Sequence, residues 1–389
     1  MNVRKQVAMR VDYLDQCCTL WEKEREVYDE NRIENLMKVC AQKGITEIHW
    51  RTSLGGKVSY PSKVMEPFNG CYSPQSEGLR KAMESFDPLE IATKYARKYG
   101  LSIYPWVTMF DSFFIGMEDP LFRKKPGLLI LDRSQKIPLK GIPCYAEPEV
   151  QEYRLAEVKE LLDNYDIDGI MYGTNTHCWL IQEKERYHTP LFYGYNAPVV
   201  TEFKKRYGIN ILKEKFDPVL FRRLHGEFVL QYLRRIQKEC TNRNKKLIIT
   251  VISMDPRCLS DECRNENILA VTPPLPDSQK MICLEVKKML DEGVVDTYVW
   301  SEDKYIFESA NGYTILKEGK KRKKGTKPCY HWLVHVRWGK KTKEEMLRFS
   351  EQIRYAREND LFDGISFHEI QSFEFYSPQL WELIKEYQK

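Results

Sequence analysis

The feature that most constrains the fold is an alternation of short β-rich runs with amphipathic helical stretches, which continues from one end of the 389-residue chain to the other. Such alternation predicts βα units and a parallel sheet. There are eight β-rich runs, at residues 6–13, 46–53, 101–110, 168–175, 246–254, 295–301, 330–338 and 363–369. Because eight βα units close a barrel, the sequence predicts the α/β class and a (β/α)₈ TIM barrel.

Helix start and stop signals lie between these runs. Asp87 and Pro88 are typical of a helix N-terminus, and Gly100 marks the end of that helix. Thr342 and Glu345 have the spacing of a capping box before another amphipathic stretch. The helices are therefore expected to form the outer ring of the barrel.

The longest insertions follow strands rather than helices. They cover residues 54–86, 111–146, 176–218 and 302–328, and all lie on the strand-to-helix side. In a TIM barrel these βα loops form the C-terminal face, where active sites are built. No linker or composition break divides the chain, so residues 1–389 are predicted to form a single barrel domain.

Composition gives little reason to expect a nucleic-acid or membrane partner. The chain has 61 Lys and Arg against 56 Asp and Glu, a net charge of +5. The lysine-rich run at 317–327 is interpreted as a solvated loop. The N-terminus has no apolar stretch of the kind found in a signal peptide or anchor. We therefore expect a cytoplasmic protein, although a secreted chain trimmed of its leader would look the same.

The cysteines and the common cofactor motifs point away from metals and cofactors. The eleven cysteines are an odd number without CxxC pairs, which argues against a disulfide framework and a zinc site. The chain contains no Walker loop, dinucleotide GxGxxG, HExxH or GxSxG motif. We expect no cofactor, no metal and no serine nucleophile, which leaves carboxylate chemistry.

Polar and aromatic residues cluster at the predicted strand ends. In a barrel, side chains at the C-terminal ends of the strands point toward a shared mouth. The candidate binding residues at these positions are Arg10, His49, Arg51, Trp106, Asn175, His177, Arg257, Trp300, His335, Arg337, Trp338 and His368. Several strands contribute, so the mouth is predicted to be a binding pocket.

Four of these residues are arginines: Arg10, Arg51, Arg257 and Arg337. Guanidinium groups near one opening are well suited to carboxylate or sulfate recognition, which predicts an anionic ligand. The alternative is that carboxylates of the chain neutralise them internally. The acidic residues available for this are Asp12, Asp111, Asp255 and Glu369.

The candidate catalytic groups are strand-end carboxylates. Glu369 is the first candidate and Glu302 the second, with Asp111 and Asp255 behind them. Glycoside hydrolysis needs two such groups, about 5 Å apart for retention or about 6.5 to 9.5 Å apart for inversion. Strand alternation places His368 inward and Glu369 on the other face unless the strand end twists, so both are kept as candidates.

Three central motifs carry a family resemblance. Residues 146–177, 193–211 and 216–236 resemble the glycosyl-hydrolase-like family 10 proteins, with weaker similarity extending over most of the chain. The resemblance implies a (β/α)₈ barrel that acts on a polysaccharide or oligosaccharide. One departure is that many relatives carry an acidic residue after the Asp-Gly of the fourth strand, where this chain has Met171 to Asn175.

Two alternatives to a glycoside hydrolase stay open. The missing acid on the fourth strand is compatible with a barrel that binds sugars without cleaving them. A metal-dependent barrel would need a convergent set of ligands, for which the candidates are His49, His177, His335, Asp111 and Glu369.

Overall fold

The computed structural model describes residues 5–68, 76–114, 117–174, 193–251, 269–270, 282–300, 312–321, 327–336 and 339–388. Its centre is a closed barrel of eight parallel strands that follow one another around the barrel in chain order. The strands are β1 Gln6–Val11, β2 Glu47–Arg51, β3 Ser102–Thr108, β4 Gly169–Gly173, β5 Lys246–Val251, β6 Thr297–Trp300, β7 Cys329–His335 and β8 Gly364–His368. Pairing of β1 with β8 closes the barrel. The predicted TIM barrel is confirmed.

Helices surround this barrel. Those in the described part of the chain are α1 Tyr13–Glu24, α2 Glu30–Gln42, α3 Glu77–Ser85, α4 Pro88–Lys98, α5 Pro120–Lys124, α6 Pro148–Asn164, α7 Ala197–Tyr207, α8 Pro218–Asn242, α9 Val286–Glu292, α10 Gly312–Lys320, α11 Lys343–Glu358 and α12 Trp381–Gln388. None of these described helices is both long and apolar enough to cross a bilayer.

The predicted helix caps are confirmed. Asp87 accepts hydrogen bonds from the backbone N–H groups of Leu89 and Glu90, at 2.9 and 3.2 Å, and so begins α4. Thr342 and Glu345 form the reciprocal capping box that begins α11. Each cap satisfies donors that the first helical turn leaves without partners.

Short strands build the C-terminal face. Ser53–Leu54, Lys57–Val58 and Glu66–Pro67 form one small sheet after β2. Three antiparallel pairs also occur: Phe113–Phe114 with Met117–Glu118, Leu129–Leu131 with Pro138–Pro143, and Leu269–Ala270 with Cys283–Leu284. The first two of these pairs and the small sheet lie in the insertions at 54–86 and 111–146, which the sequence assigns to this face.

The two faces of the barrel wall bury different side chains. Outward residues such as Ile48 and Trp50 of β2 join the large core between barrel and helices. Inside the barrel is a small cluster of Tyr104, Trp106, Met171, Ile248, Val299 and Leu333. Because successive strand residues alternate in direction, Glu47, His49 and Arg51 of β2 face inward. The interior therefore holds both apolar and charged side chains.

Candidate functional site at the barrel mouth

Arg51 is the centre of a buried ion-pair network at the end of β2. Its Nη1 forms an ion pair with Asp12, and its Nη2 lies 2.8 Å from Asp111 Oδ2. Its Nε donates to the carbonyl of Ser53 at 3.0 Å. Two carboxylates thus compensate one guanidinium. For Arg51 the internal neutralisation considered from the sequence is correct.

Arg10 is buried inside the barrel with far less compensation. It is 1% exposed, and its Nη2 donates to Thr250 Oγ1 at 2.7 Å. Its buried Nε has no hydrogen-bond partner within the described ranges. Burial lowers the pKa of Arg10 to about 9, and the charge of Glu369 opposes that shift. The guanidinium therefore remains charged at neutral pH.

Trp106 of β3 joins the two arginines. The Cζ atoms of Arg10 and Arg51 lie 5.3 and 5.2 Å from its ring, within the range of cation–π attraction. Gly173 makes room for this indole, because a Cβ on Gly173 would lie 2.2 Å from Trp106 Nε1. The ring also meets His368 edge-on at 5.7 Å. Trp106 is 4% exposed and forms part of the floor of the mouth.

Three carboxyl groups meet next to these arginines. One oxygen atom from each of Asp12, Asp15 and Glu369 lies within 4.8 Å of the other two. Asp12 and Glu369 are buried, whereas Asp15 is half-buried. Burial raises the pKa of Asp15 well above its usual value, and the Asp12 and Glu369 carboxylates raise it further against the opposing charge of Arg51. Asp15 therefore holds a proton more readily than an ordinary aspartate.

Oxygen ligands of this kind also suit hard cations such as calcium. Here, however, Asp12 is already in an ion pair with Arg51, and Arg10 is close enough to feel the charge of Glu369. A second cation would have to share Asp12 with the Arg51 guanidinium. The arrangement favours proton transfer over metal binding.

The other predicted residues in the described part have varied positions. His335 is exposed and His368 half-buried, and their rings meet at 4.9 Å beside Trp106. His49 is fully buried below the mouth, with Nε2 at 3.7 Å from Glu47 Oε2 and an edge-on contact with Tyr104. Asp111 is bound to Arg51. Among the described residues, Glu369 is grouped with Asp12 and Asp15 and not with the other metal-ligand candidates His49, His335 and Asp111.

The prediction for Trp300 is wrong. Val299 belongs to the cluster inside the barrel, so its neighbour Trp300 faces outward, into the core beneath the helices. It is completely buried there. The predicted residues that lie outside the described ranges are Asn175, His177, Asp255, Arg257, Glu302, Arg337 and Trp338.

The sequence reasoning missed Asp15 and treated Asp12 only as a counter-charge. Both follow β1 directly, and Asp12 accepts a hydrogen bond from the Asp15 N–H at 3.4 Å as the N-cap of α1. The available signal was two aspartates three residues apart at the end of a strand, since this spacing places them together on the first helical turn.

Comparison with known proteins supports the fold. No family model matches the sequence, and no curated protein matches it. The PgaB (BpsB) glycoside hydrolase domain from Bordetella bronchiseptica is similar in structure, with a TM-score of 0.62 at 10% identity over 98% of this chain and 99% of that one. An α-L-fucosidase isoenzyme 2 from Paenibacillus thiaminolyticus has a TM-score of 0.53 at 12% identity over 99% of this chain.

This chain spans 49% of the length of the fucosidase. At such identities the likeness concerns the barrel itself. The fold is thus one that glycoside hydrolases use, while membership of glycosyl-hydrolase-like family 10 stays a prediction.

Proposed function

We propose that this barrel is a carbohydrate-active hydrolase that cleaves a glycosidic bond of an oligosaccharide or polysaccharide. The observation that carries the proposal is the proximity of Asp15 and Glu369, whose nearest oxygens lie within 4.8 Å at the C-terminal mouth. This is the face on which TIM barrels place their catalytic groups. The shared fold with a glycoside hydrolase domain supports it.

The environments of the two carboxyl groups suggest different roles. Asp15 has a raised pKa because of burial and its acidic neighbours, so it acts as the proton donor to the glycosidic oxygen. Glu369 lies within reach of the positive charge of Arg10 and acts as the carboxylate that attacks the anomeric carbon. The glycosidic C–O bond breaks as Asp15 delivers its proton. Asp15 then takes a proton from the water that hydrolyses the glycosyl ester.

The spacing of the pair also predicts the stereochemistry. Retaining enzymes hold their carboxyl groups about 5 Å apart, whereas inverting enzymes leave about 6.5 to 9.5 Å for a water molecule. Oxygens within 4.8 Å fit the former, so we expect retention of the anomeric configuration. Glu302 and Asp255 stay predictions as further carboxylates. We also keep the prediction of an anionic substrate, uronic or sulfated.

A sugar-binding barrel without turnover is the second candidate. It is favoured by the end of β4, where Gly173 and Thr174 provide no acid. The fourth strand then supplies no catalytic carboxylate, and its Gly173 leaves space for the Trp106 ring.

The test is release of reducing sugar from neutral, uronic and sulfated oligosaccharides by the wild type, Glu369→Gln and Asp15→Asn. Each substitution is expected to lower turnover by about 10³-fold or more with unchanged thermal stability. Glu358→Gln is the matched control, because Glu358 is exposed at the far end of α11. Full activity in Glu369→Gln contradicts the assigned pair. Sugar binding without any turnover favours the second candidate.

A further inference from the structure

We infer that Arg10 is the residue that recognises a carboxylate group of the substrate, so that the mouth selects a uronic-acid glycan. The inference rests on the proposed function in taking the ligand to be a sugar. It assigns to one residue the anion recognition that the sequence distributes over four arginines.

The charge of Arg10 is buried with little compensation from the described residues. Among the described residues Arg10 forms no ion pair and donates one side-chain hydrogen bond, to the uncharged Thr250. An arginine carries five N–H donors, and burying its charge without an anion is costly. The Trp106 ring attracts the guanidinium but brings no negative charge. A ligand carboxylate would supply what the protein leaves out.

Arg51 contacts the same indole ring as Arg10 but has different partners. The N–H groups of Arg51 are directed to Asp12, Asp111 and the Ser53 carbonyl. An incoming anion would compete there with two carboxylates of the chain. Among the described residues, Arg51 has two acids at ion-pair distance, whereas Arg10 has none at that distance and feels Glu369 from farther away.

The shape of the guanidinium group favours a carboxylate as the anion. A guanidinium presents parallel N–H groups in one plane, which match the two oxygens of a carboxylate. Within the described part of the chain, the buried Nε–H of Arg10 has no hydrogen-bond partner. Its electrostatic partner Glu369 belongs to the proposed reacting pair. Arg10 contacts Trp106, and Trp106 meets His368, the residue before Glu369, so a uronic carboxylate on Arg10 would bring its sugar ring toward the proposed reacting pair.

The test measures binding directly, by calorimetry. The ligands are oligogalacturonides, oligoglucuronides, neutral oligosaccharides of the same length, and sulfated oligosaccharides. The wild type is expected to bind a uronic oligosaccharide at least about 10-fold more tightly than its neutral counterpart. Arg10→Met is expected to lower uronic binding to the level of the neutral oligosaccharides measured on the same variant. Arg10→Lys, which keeps the charge but loses the planar fork, is expected to fall in between.

The outcomes separate this inference from the proposed function. Equal wild-type affinity for uronic and neutral oligosaccharides overturns the assignment even if neutral sugars are hydrolysed, and it requires no variant to fold. Preference for sulfated over uronic ligands overturns the choice of carboxylate. An Arg10→Met protein that stays folded and keeps the uronic preference also overturns it. Uronic binding that depends on Arg10, without hydrolysis, supports the inference and contradicts the proposed hydrolase.

Discussion

The inward-facing polar side chains at the base of the barrel are grouped around two histidines. Those at the mouth are grouped around two arginines. At the base, His331 Nε2 lies 2.8 Å from Gln6 Oε1, and His49 faces Glu47. Both histidines are fully buried, and burial lowers the pKa of each. These groups can lose their charge when they are enclosed, so a closed interior tolerates them.

The mouth cannot adapt in that way. Arg10 and Arg51 remain charged at neutral pH, even where burial lowers the pKa of Arg10 to about 9. A buried group that does not deprotonate needs a compensating negative charge. Acids of the chain supply it for Arg51, and we propose that a ligand supplies it for Arg10. The comparison teaches that buried guanidinium groups, which keep their charge, distinguish the mouth from the base more clearly than polarity does.

The largest effect is expected from removing the matched charge at the mouth. Arg51→Met leaves Asp12 and Asp111 buried without their cation, which should lower the free energy of unfolding by about 3–5 kcal/mol. Urea denaturation at pH 7 measures this. Lys94→Met is the control, because its ion pair with Glu30 is exposed and should contribute less than about 1 kcal/mol. Similar losses in both variants would show that the mouth network is no stronger than a surface pair.

A smaller effect is expected from crowding the floor of the mouth. A Cβ at position 173 would lie 2.2 Å from Trp106 Nε1, so Gly173→Ala should cost about 1–3 kcal/mol and displace the indole. Denaturation and tryptophan fluorescence report the two consequences. Gly127→Ala is the matched control, since a Cβ there has no atom within 4 Å. An unchanged Gly173→Ala protein would mean that Trp106 is not fixed by this contact.

The smallest expected effect is a change of the free energy of unfolding with pH, caused by the two histidines at the base of the barrel. His49 and His331 have lowered pKa values in the folded state, so below about pH 6.5 the unfolded chain binds more protons and the free energy of unfolding falls as pH falls. Each histidine can contribute up to about 1.4 kcal/mol per pH unit. His331→Gln should reduce this slope between pH 5 and 7.

Stability curves of the two kinds of variant sharpen the comparison. Arg51→Met should lower the curve at every pH in that range, since a guanidinium does not titrate there. The carboxyl groups of Glu157 and Glu374 have pKa values raised by burial to about 7, which gives a slope of opposite sign. The test is therefore the difference between wild type and His331→Gln. A parallel shift of the two curves would contradict the assignment of the slope to the base.

The fold was predictable because its signal is repeated. Each of the eight predicted runs overlaps one barrel strand, and turn and cap residues such as Asp87 and Thr342 mark the helices between them. The error at Trp300 has a simple physical origin. Adjacent strand residues face opposite sides, so proximity to a strand end does not decide whether a side chain reaches the pocket.

The site was predictable only in part. Arg51, Trp106 and His368 were found because strand ends converge at the mouth, but Asp15 lies on a helix and escaped that rule. No sequence pattern distinguishes Arg51 from Arg10, since their difference depends on which carboxylates reach each guanidinium across the barrel. That distinction is visible only in the three-dimensional structure.

Asp12 has a consequence for anyone who would redesign this protein. One of its oxygens accepts a hydrogen bond from the Asp15 N–H in the first turn of α1, and the other accepts a hydrogen bond from Arg51 Nη1. The Asp12 carboxylate therefore caps an outer helix and also holds an arginine of the mouth in place. Substituting Asp12 would change both the helix N-terminus and the position of that arginine. Engineering of a new specificity is better begun at a more exposed position of the mouth, such as His335, whose ring contacts His368.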